Sequence, residues 1–151
     1  MNKIEKAEEI YHSLIGKKFQ YIKYYDKIIF GFGDLHTEQN LNGEITEYAE
    51  YELYVRCHFR IINQNEIIFG CEDYMISGDG EYYIGWEEEP NFFEMKYQMV
   101  KNDIFKDNYV QSIELETYGN LVIKLNNIQI ELFIASSVKE NEEWKIWEHK
   151  K

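Results

Sequence analysis

Residues 50–62 read EYELYVRCHFRII, and this stretch has the clearest strand pattern of the chain. Apolar and aromatic side chains occupy every second position, namely Tyr51, Leu53, Val55, Cys57, Phe59 and Ile61. Polar or charged residues fill most of the positions between them: Glu52, Tyr54, Arg56, His58 and Arg60. Because successive side chains of a strand point to opposite faces, this period predicts one continuous strand with an apolar core face and a polar face.

A second alternating region lies toward the C-terminal end of the chain. Leu121, Ile123 and Leu125 precede the dipeptide Asn126–Asn127, and the alternation resumes in the next apolar positions: Ile128, Ile130, Leu132 and Ile134. Two such runs around a two-residue turn predict a β-hairpin. Residues 66–69 and 111–117 predict further strand segments, and Trp144, Ile146 and Trp147 predict a last strand or a clasp on the core.

The N-terminal part predicts a helix followed by paired strands. Apolar residues of residues 2–15 recur at helical spacing, and Gly16 followed by two lysines is a typical helix end. Residues 18–25 and 28–33 predict a tight hairpin, and residues 34–44 a polar loop or wide hairpin end with its turn at Asn42–Gly43. Pro90 and the residues after it predict a short helix over residues 91–101.

Together these segments predict an α+β fold in one domain spanning residues 1–151. The N-terminal helix should pack on a mainly antiparallel sheet that can curl into a barrel, with one short central helix. Each strong strand is amphipathic rather than apolar on both faces, which argues against a doubly wound parallel sheet.

Charge is concentrated in residues 28–95. This block contains 15 acidic residues but only two basic ones, Arg56 and Arg60. Its net charge of −13 exceeds the −12 of the whole chain, because the remaining residues carry a net charge of +1. Aromatic rings are interleaved with the acids, whereas chains that stay unfolded are poor in aromatics. The acidity therefore belongs to a folded domain, and its surface suits a basic protein partner rather than nucleic acid, whose phosphates it would repel.

The candidate partner-binding residues lie in the second half of this block, where acids flank aromatic anchors: Glu72, Asp73, Asp79, Glu81, Tyr83, Trp86, Glu87, Glu88 and Glu89. We expect the acids of residues 34–52 and 72–89 to share one surface. Arg56 and Arg60 should pair with neighbouring carboxylates and hold that surface together. The alternative is that the two arginines bind an anion directly.

No pattern of catalytic or cofactor-binding residues stands out. His12, His36, His58 and His149 are scattered, without the closely spaced pair that a zinc site usually contains. Cys57 and Cys71 predict two reduced thiols, with Cys57 buried. The sequence has no long apolar run and no signal-peptide pattern at its start, so we expect a cytoplasmic protein without a membrane span, a metal or another cofactor.

Two stretches resemble an uncharacterised family of small bacterial proteins. Residues 54–62 (YVRCHFRII) are similar to its strand pattern aliphatic–x–Cys–x–aromatic–Arg–Ile, and residues 119–147 resemble its C-terminal end. That end has a Gly-Asp-Leu strand, a strand ending Phe-Pro-x-Ser-Ser, an acidic loop and a Trp-Arg-Phe-Phe strand. This chain departs from it at Asn120 for Asp, at Ile134–Ala135 for the Pro-containing pair and at Lys145–Ile146–Trp147 for Arg-Phe-Phe. The resemblance covers roughly a quarter of the chain.

Some members of that family resemble immunity partners of polymorphic or contact-dependent bacterial toxins. The resemblance and the charge together predict a non-catalytic cytoplasmic protein that neutralises a basic, nuclease-like toxin domain. Two alternatives stay open, namely a housekeeping domain with a small-molecule pocket and a small enzyme.

Overall fold

The computed structural model describes residues 3–24, 28–64, 66–71, 73, 92–116, 120–133 and 144–149. These residues form two helices, α1 (Lys3–Leu14) and α2 (Phe92–Phe105). They also form the following strands: β1 (Phe19–Tyr24), β2 (Ile28–Gln39), β3 (Ile45–Val55), β4 (His58–Ile62), β5 (Ile67–Gly70), β6 (Val110–Leu115), β7 (Leu121–Leu125), β8 (Gln129–Phe133) and β9 (Trp144–Glu148).

The strands form two sheets. One has the order β1-β2-β3-β9 and the other the order β5-β4-β8-β7-β6. All neighbouring strands pair antiparallel. The predicted α+β class with mainly antiparallel pairing is therefore confirmed. The strands of the described residues do not close into a barrel, and that part of the expectation is not confirmed.

One hydrophobic cluster joins both sheets and both helices. It contains Leu14 of α1 and Phe93 of α2, together with Phe30 of β2 and Phe59 of β4. The rings of Phe30 and Phe59 meet edge to face, with 5.4 Å between their centroids, across the two sheets. The alternating apolar faces read from the sequence are thus the faces that pack against each other.

The strand predicted over residues 50–62 is wrong in its continuity. The chain leaves β3 after Val55 and enters β4 at His58, so the two halves belong to different sheets. Val55, Cys57 and Phe59 are nevertheless all buried, while Arg56 and His58 are exposed. The alternation continues through the crossing between sheets, and for that reason it gives no sign of the break.

The prediction for residues 34–44 is also corrected. β2 continues to Gln39, and only residues 40–44 form the turn before β3. The Asn42–Gly43 turn signal is right, since Gly43 has a φ of 82°. The polar composition of residues 34–39 reflects their exposure on a long hairpin and not a loop conformation.

The other predicted helices and strands are found with small shifts in their bounds where the structure describes them, whereas residues 25–27, 91, 117 and 134 of these predictions lie outside the described residues. α2 extends to Phe105, beyond the predicted end at residue 101, and β9 confirms the predicted last strand. Within β9, Trp144 is buried but Trp147 is exposed, so only the first tryptophan anchors the strand on the core. Cys57 is buried, Cys71 is half-buried, and no disulfide joins them.

Neither helix in the described part of the chain is long and apolar enough to cross a membrane.

Candidate functional site

The β2–β3 hairpin bends at a β-bulge. Phe32 pairs with Tyr51 and Leu35 pairs with Ala49, so that Gly33 and Asp34 together face Glu50. Gly33 has a φ of 95°, and a Cβ atom there would lie 2.8 Å from Cβ of Glu50. Bulges of this kind increase the local twist and redirect a strand. Only glycine fits this position without strain.

Beyond the bulge, the hairpin turns back over the outer face of the four-stranded sheet. Lys23 is level with Tyr54, because both pair with Ile29. Tyr48 is six residues from Tyr54, about 20 Å in a straight strand. Even so, Nζ of Lys23 donates a hydrogen bond of 2.8 Å to the carbonyl oxygen of Glu47 and lies 4.9 Å from the Tyr48 ring centroid. A lysine reaches both only if the hairpin is folded back.

Glu52 lies beneath the folded-back hairpin and is only 2% exposed. Tyr21 Oη donates to one carboxylate oxygen at 2.7 Å, and Nε2 of His149 lies 2.5 Å from the other. Nζ of Lys23 is 3.8 Å from the first oxygen. A buried carboxylate is tolerated only when hydrogen bonds and opposite charge replace water. We call Tyr21, Lys23, Tyr48, Glu52 and His149 the polar cluster.

Tyr21 links three strands within this cluster. Its hydroxyl donates to Glu52 and accepts a 2.7 Å hydrogen bond from the backbone nitrogen of Ala49, beside the bulge. The ring crosses Gly31, where a Cβ atom would lie only 2.5 Å from ring carbons. Burial raises the pKa of the Tyr21 hydroxyl well above its usual value, and the Glu52 carboxylate adds to this rise while the Ala49 N–H opposes it.

Aromatic rings cover the cluster. The Tyr48 ring lies over His149, with 4.9 Å between centroids, and His36 flanks Tyr48 at 6.1 Å. His149 follows β9, and its backbone nitrogen donates to the Glu50 carbonyl at 2.9 Å. The polar cluster therefore connects the folded-back hairpin to β1 and to the end of β9.

Above the cluster, residues 34–47 form an exposed two-stranded arm, which we call the acidic arm. Its four carboxylates are all exposed: Asp34, Glu38, Glu44 and Glu47. No lysine or arginine occurs between Lys27 and Arg56. Among the described strands, β1 and β9 stop pairing before the arm begins, so each strand of the arm has an open edge.

The tip of the acidic arm is fixed by its own hydrogen bonds. The Asn40 side-chain oxygen accepts 2.9 Å hydrogen bonds from the backbone nitrogens of Asn42 and Glu44. The Asn40 backbone nitrogen donates to the Glu44 carbonyl at 2.9 Å. Leu41 stands at this tip with its side chain fully exposed.

Most of the predicted partner-binding residues lie outside the described part of the chain: Glu72, Asp79, Glu81, Tyr83, Trp86, Glu87, Glu88 and Glu89. Asp73 is described, and its carboxylate accepts a 3.0 Å hydrogen bond from the backbone nitrogen of Gly70. The expectation that all acids of residues 34–52 share one surface is wrong for Glu52, which is buried, and Glu50 is ion-paired with Lys17. Whether the acids of residues 72–89 share a surface with the acidic arm stays a prediction.

The two arginines differ in their surroundings. Nε of Arg60 lies 2.6 Å from a carboxylate oxygen of Glu131, and its guanidinium lies over the Phe133 ring. Arg60 thus pairs with a carboxylate, but Glu131 belongs to β8 and lies outside the acidic block of residues 28–95, so its expected role in holding the acidic surface together stays a prediction. Arg56 is exposed at the crossing between the sheets and makes no ion pair with a described residue.

Two cavities lie away from the polar cluster. A polar groove of about 570 Å³ is lined by residues 62–64 and 124–129, and a groove of about 270 Å³ lies between α1 and β6. Among the residues that the structure describes, no three His, Cys, Asp or Glu side chains are grouped so as to hold a metal ion.

Sequence reasoning missed the polar cluster, because it assigned Glu52 to the solvent face and left His149 without a partner. The two residues are 97 positions apart, so only the pairing of β3 with β9 brings them together. A partial signal was available in the two glycines of the GFG segment, because glycine within a strand pattern indicates a bulge or a close approach.

No protein-family model matches the chain, and no curated protein or solved structure is significantly similar to it.

Proposed function

We propose that this chain is a non-catalytic binding protein that neutralises a basic protein partner, as an immunity protein does for a nuclease-like toxin domain. In this role it acts in the bacterial cytoplasm, where such a toxin would meet its substrate. The observation that carries the proposal is the acidic arm, an exposed ribbon with four carboxylates and no lysine or arginine of its own, which Lys23 of β1 contacts only at its base, through the Glu47 carbonyl.

The arm suits a nuclease-like partner for electrostatic reasons. Nuclease active sites are cationic because they hold phosphate, and a ribbon of carboxylates can occupy such a site in place of nucleic acid. Charge complementarity of this kind accelerates encounter and excludes wrong partners. The acids and aromatic residues predicted in residues 72–89 would enlarge the same surface if they lie beside the arm.

An exposed aromatic residue lies on the same outer face as the polar cluster. Trp147 pairs with Glu52 across β3 and β9, and its side chain is 49% exposed. Tryptophan is enriched among residues that dominate binding energy once they are covered by a partner. Trp147 is therefore the described aromatic residue that we assign to the partner interface.

In this proposal the polar cluster has a structural role, because it holds the base of the acidic arm on the sheet. Glu52 and His149 resemble a carboxylate–imidazole pair of the kind that activates a general base. Here, however, both carboxylate oxygens are bound by protein groups, and the Tyr48 ring covers His149. These contacts favour a structural role, in which the cluster holds the arm in place.

The second candidate function is small-molecule binding, and the observation that favours it is the groove at residues 62–64 and 124–129. Its volume of about 570 Å³ lies within the range of ligand sites. Its lining is rich in asparagine and glutamine, whereas ligand pockets are mainly apolar. We therefore rank the binding-protein proposal above it.

Association kinetics test the proposal. The partner is the purified basic domain encoded by the reading frame next to this chain, measured at two salt concentrations. Changing Glu38, Glu44 and Glu47 to Gln should lower kon and flatten its salt dependence, because exposed charges of the arm steer the encounter. The matched control changes Glu5, Glu8 and Glu9, three exposed glutamates of α1, to Gln.

The two triple variants alter the net charge equally, so only the position of the charge differs between them. Equal effects of the two variants, or association that does not respond to salt, would contradict electrostatic neutralisation through the arm. A third variant, with Glu87, Glu88 and Glu89 changed to Gln, should behave like the arm variant if residues 72–89 contribute to the same surface.

A further inference from the structure

We infer that Leu41, at the tip of the acidic arm, is an apolar anchor that enters a cleft of the basic partner, one with cationic walls and an apolar floor. This inference rests on the proposed function and specifies which part of the arm is bound and what the partner must offer. It is carried by the exposure of the tip, its rigidity and the charges around it.

The tip exposes apolar side chains that do nothing for the fold. Leu41 is fully exposed, and Ile45, the first residue of β3, is 71% exposed. Turns are ordinarily built from Gly, Asn, Asp and Ser, each of which suits the turn geometry. Asn40, Asn42 and Gly43 already meet that need here. Leu41 is therefore not required by the turn.

Hydrogen bonds across the turn fix the backbone on both sides of Leu41 before any partner arrives. Asn40 makes three hydrogen bonds across the turn, to the backbone of Asn42 and Glu44, and a fourth joins its side-chain nitrogen to the Glu44 carboxylate at 3.1 Å. Gln39 adds a 3.3 Å bond to the Gly43 carbonyl. Binding through such a tip avoids the cost of ordering a flexible loop.

The charges around the tip select the occupant. Glu44 lies at the tip, where its carboxylate accepts a hydrogen bond from Asn40, and Glu38 and Glu47 lie further along the arm, which has no lysine or arginine of its own. An anionic lipid surface would repel these carboxylates. A second copy of this chain, which carries a net charge of −12, would also be repelled. A protein cleft lined by Lys and Arg would attract these carboxylates, and an apolar floor in the cleft would bury Leu41.

The test compares Leu41→Ser with Met99→Ser in binding the basic domain encoded by the adjacent reading frame. Met99 is the matched control because it lies on α2 and is 73% exposed. Leu41→Ser should raise koff about tenfold or more while kon stays within about twofold, since a buried anchor acts after the encounter. Met99→Ser should change neither rate. Far-UV circular dichroism and Tm should match the unmodified protein for both variants, because both side chains are exposed.

The possible outcomes separate this inference from the proposed function. If the unmodified chain binds with salt-dependent kon but Leu41→Ser leaves koff unchanged, the anchor is wrong and the electrostatic proposal stands. If the unmodified chain does not bind the domain, both are overturned. A rise in koff for Leu41→Ser alone supports the anchor.

Discussion

The Nε2 atom of His149 lies 2.5 Å from a carboxylate oxygen of Glu52, and this contact ties the end of β9 to the middle of β3. Glu52 is on the outer face of its sheet, which in an antiparallel sheet is commonly solvated. The acidic arm folds back over that face and brings Tyr48 onto His149. A buried carboxylate held by hydrogen bonds therefore lies on the outside of the sheet.

Removing the imidazole should therefore destabilise the protein. His149→Ala leaves one Glu52 oxygen without its donor in a shielded site, and we expect a loss of about 1–3 kcal/mol in the free energy of unfolding. Urea denaturation of His149→Ala, Glu52→Gln and the double variant gives the coupling energy, expected at about 1 kcal/mol or more. Effects that add within about 0.3 kcal/mol would mean that the two side chains do not interact.

Tyr21 makes stability depend on pH in the alkaline range. Its pKa is raised in the folded protein by burial, whereas a tyrosine in the unfolded chain has a pKa of about 10. Above that pH the unfolded state has lost the proton that the folded state keeps, so the free energy of unfolding falls as pH rises. Tyr21→Phe should show a shallower fall between about pH 9 and 11 in urea titrations. An identical slope would contradict this role for Tyr21.

Core packing is tested at Leu132. This residue is 1% exposed in β8, between β4 and β7. Leu132→Ala should cost about 2–5 kcal/mol in the free energy of unfolding, the usual range for truncating a buried leucine. Leu41→Ala, the same change at a fully exposed leucine, should alter it by no more than about 0.5 kcal/mol. A loss below about 1 kcal/mol for Leu132→Ala would mean that β8 does not lie in the core.

The two thiols should react at different rates. Cys57 is 7% exposed in the core cluster, and Cys71 is half-buried directly after β5. A thiol reagent added to the folded protein should therefore label Cys71 first, as mass spectrometry of the digested protein can show. Labelling of Cys57 at an equal or higher rate would contradict the apolar register of residues 51–61.

What the sequence predicts well is local. Val55, Cys57 and Phe59 alternate with exposed residues, and the structure buries all three. What it misses depends on strands that meet only after folding. The crossing at Arg56 is invisible because alternation continues through it, and the partners of Glu52 come from β1 and from the residue after β9. The bend at Gly33 is an intermediate case, because its glycine is visible but the direction of the bend is not.

If the proposed function is right, the acidic arm is the surface that binds the basic partner. Amide chemical shifts of the isotope-labelled chain, recorded with and without the basic domain from the adjacent reading frame, show residue by residue whether it does. We expect the largest changes in residues 34–47, with smaller ones around Trp147 and almost none in the helix Lys3–Leu14. Changes confined to that helix or to the groove at residues 62–64 and 124–129, with the arm unaffected, would contradict the claim.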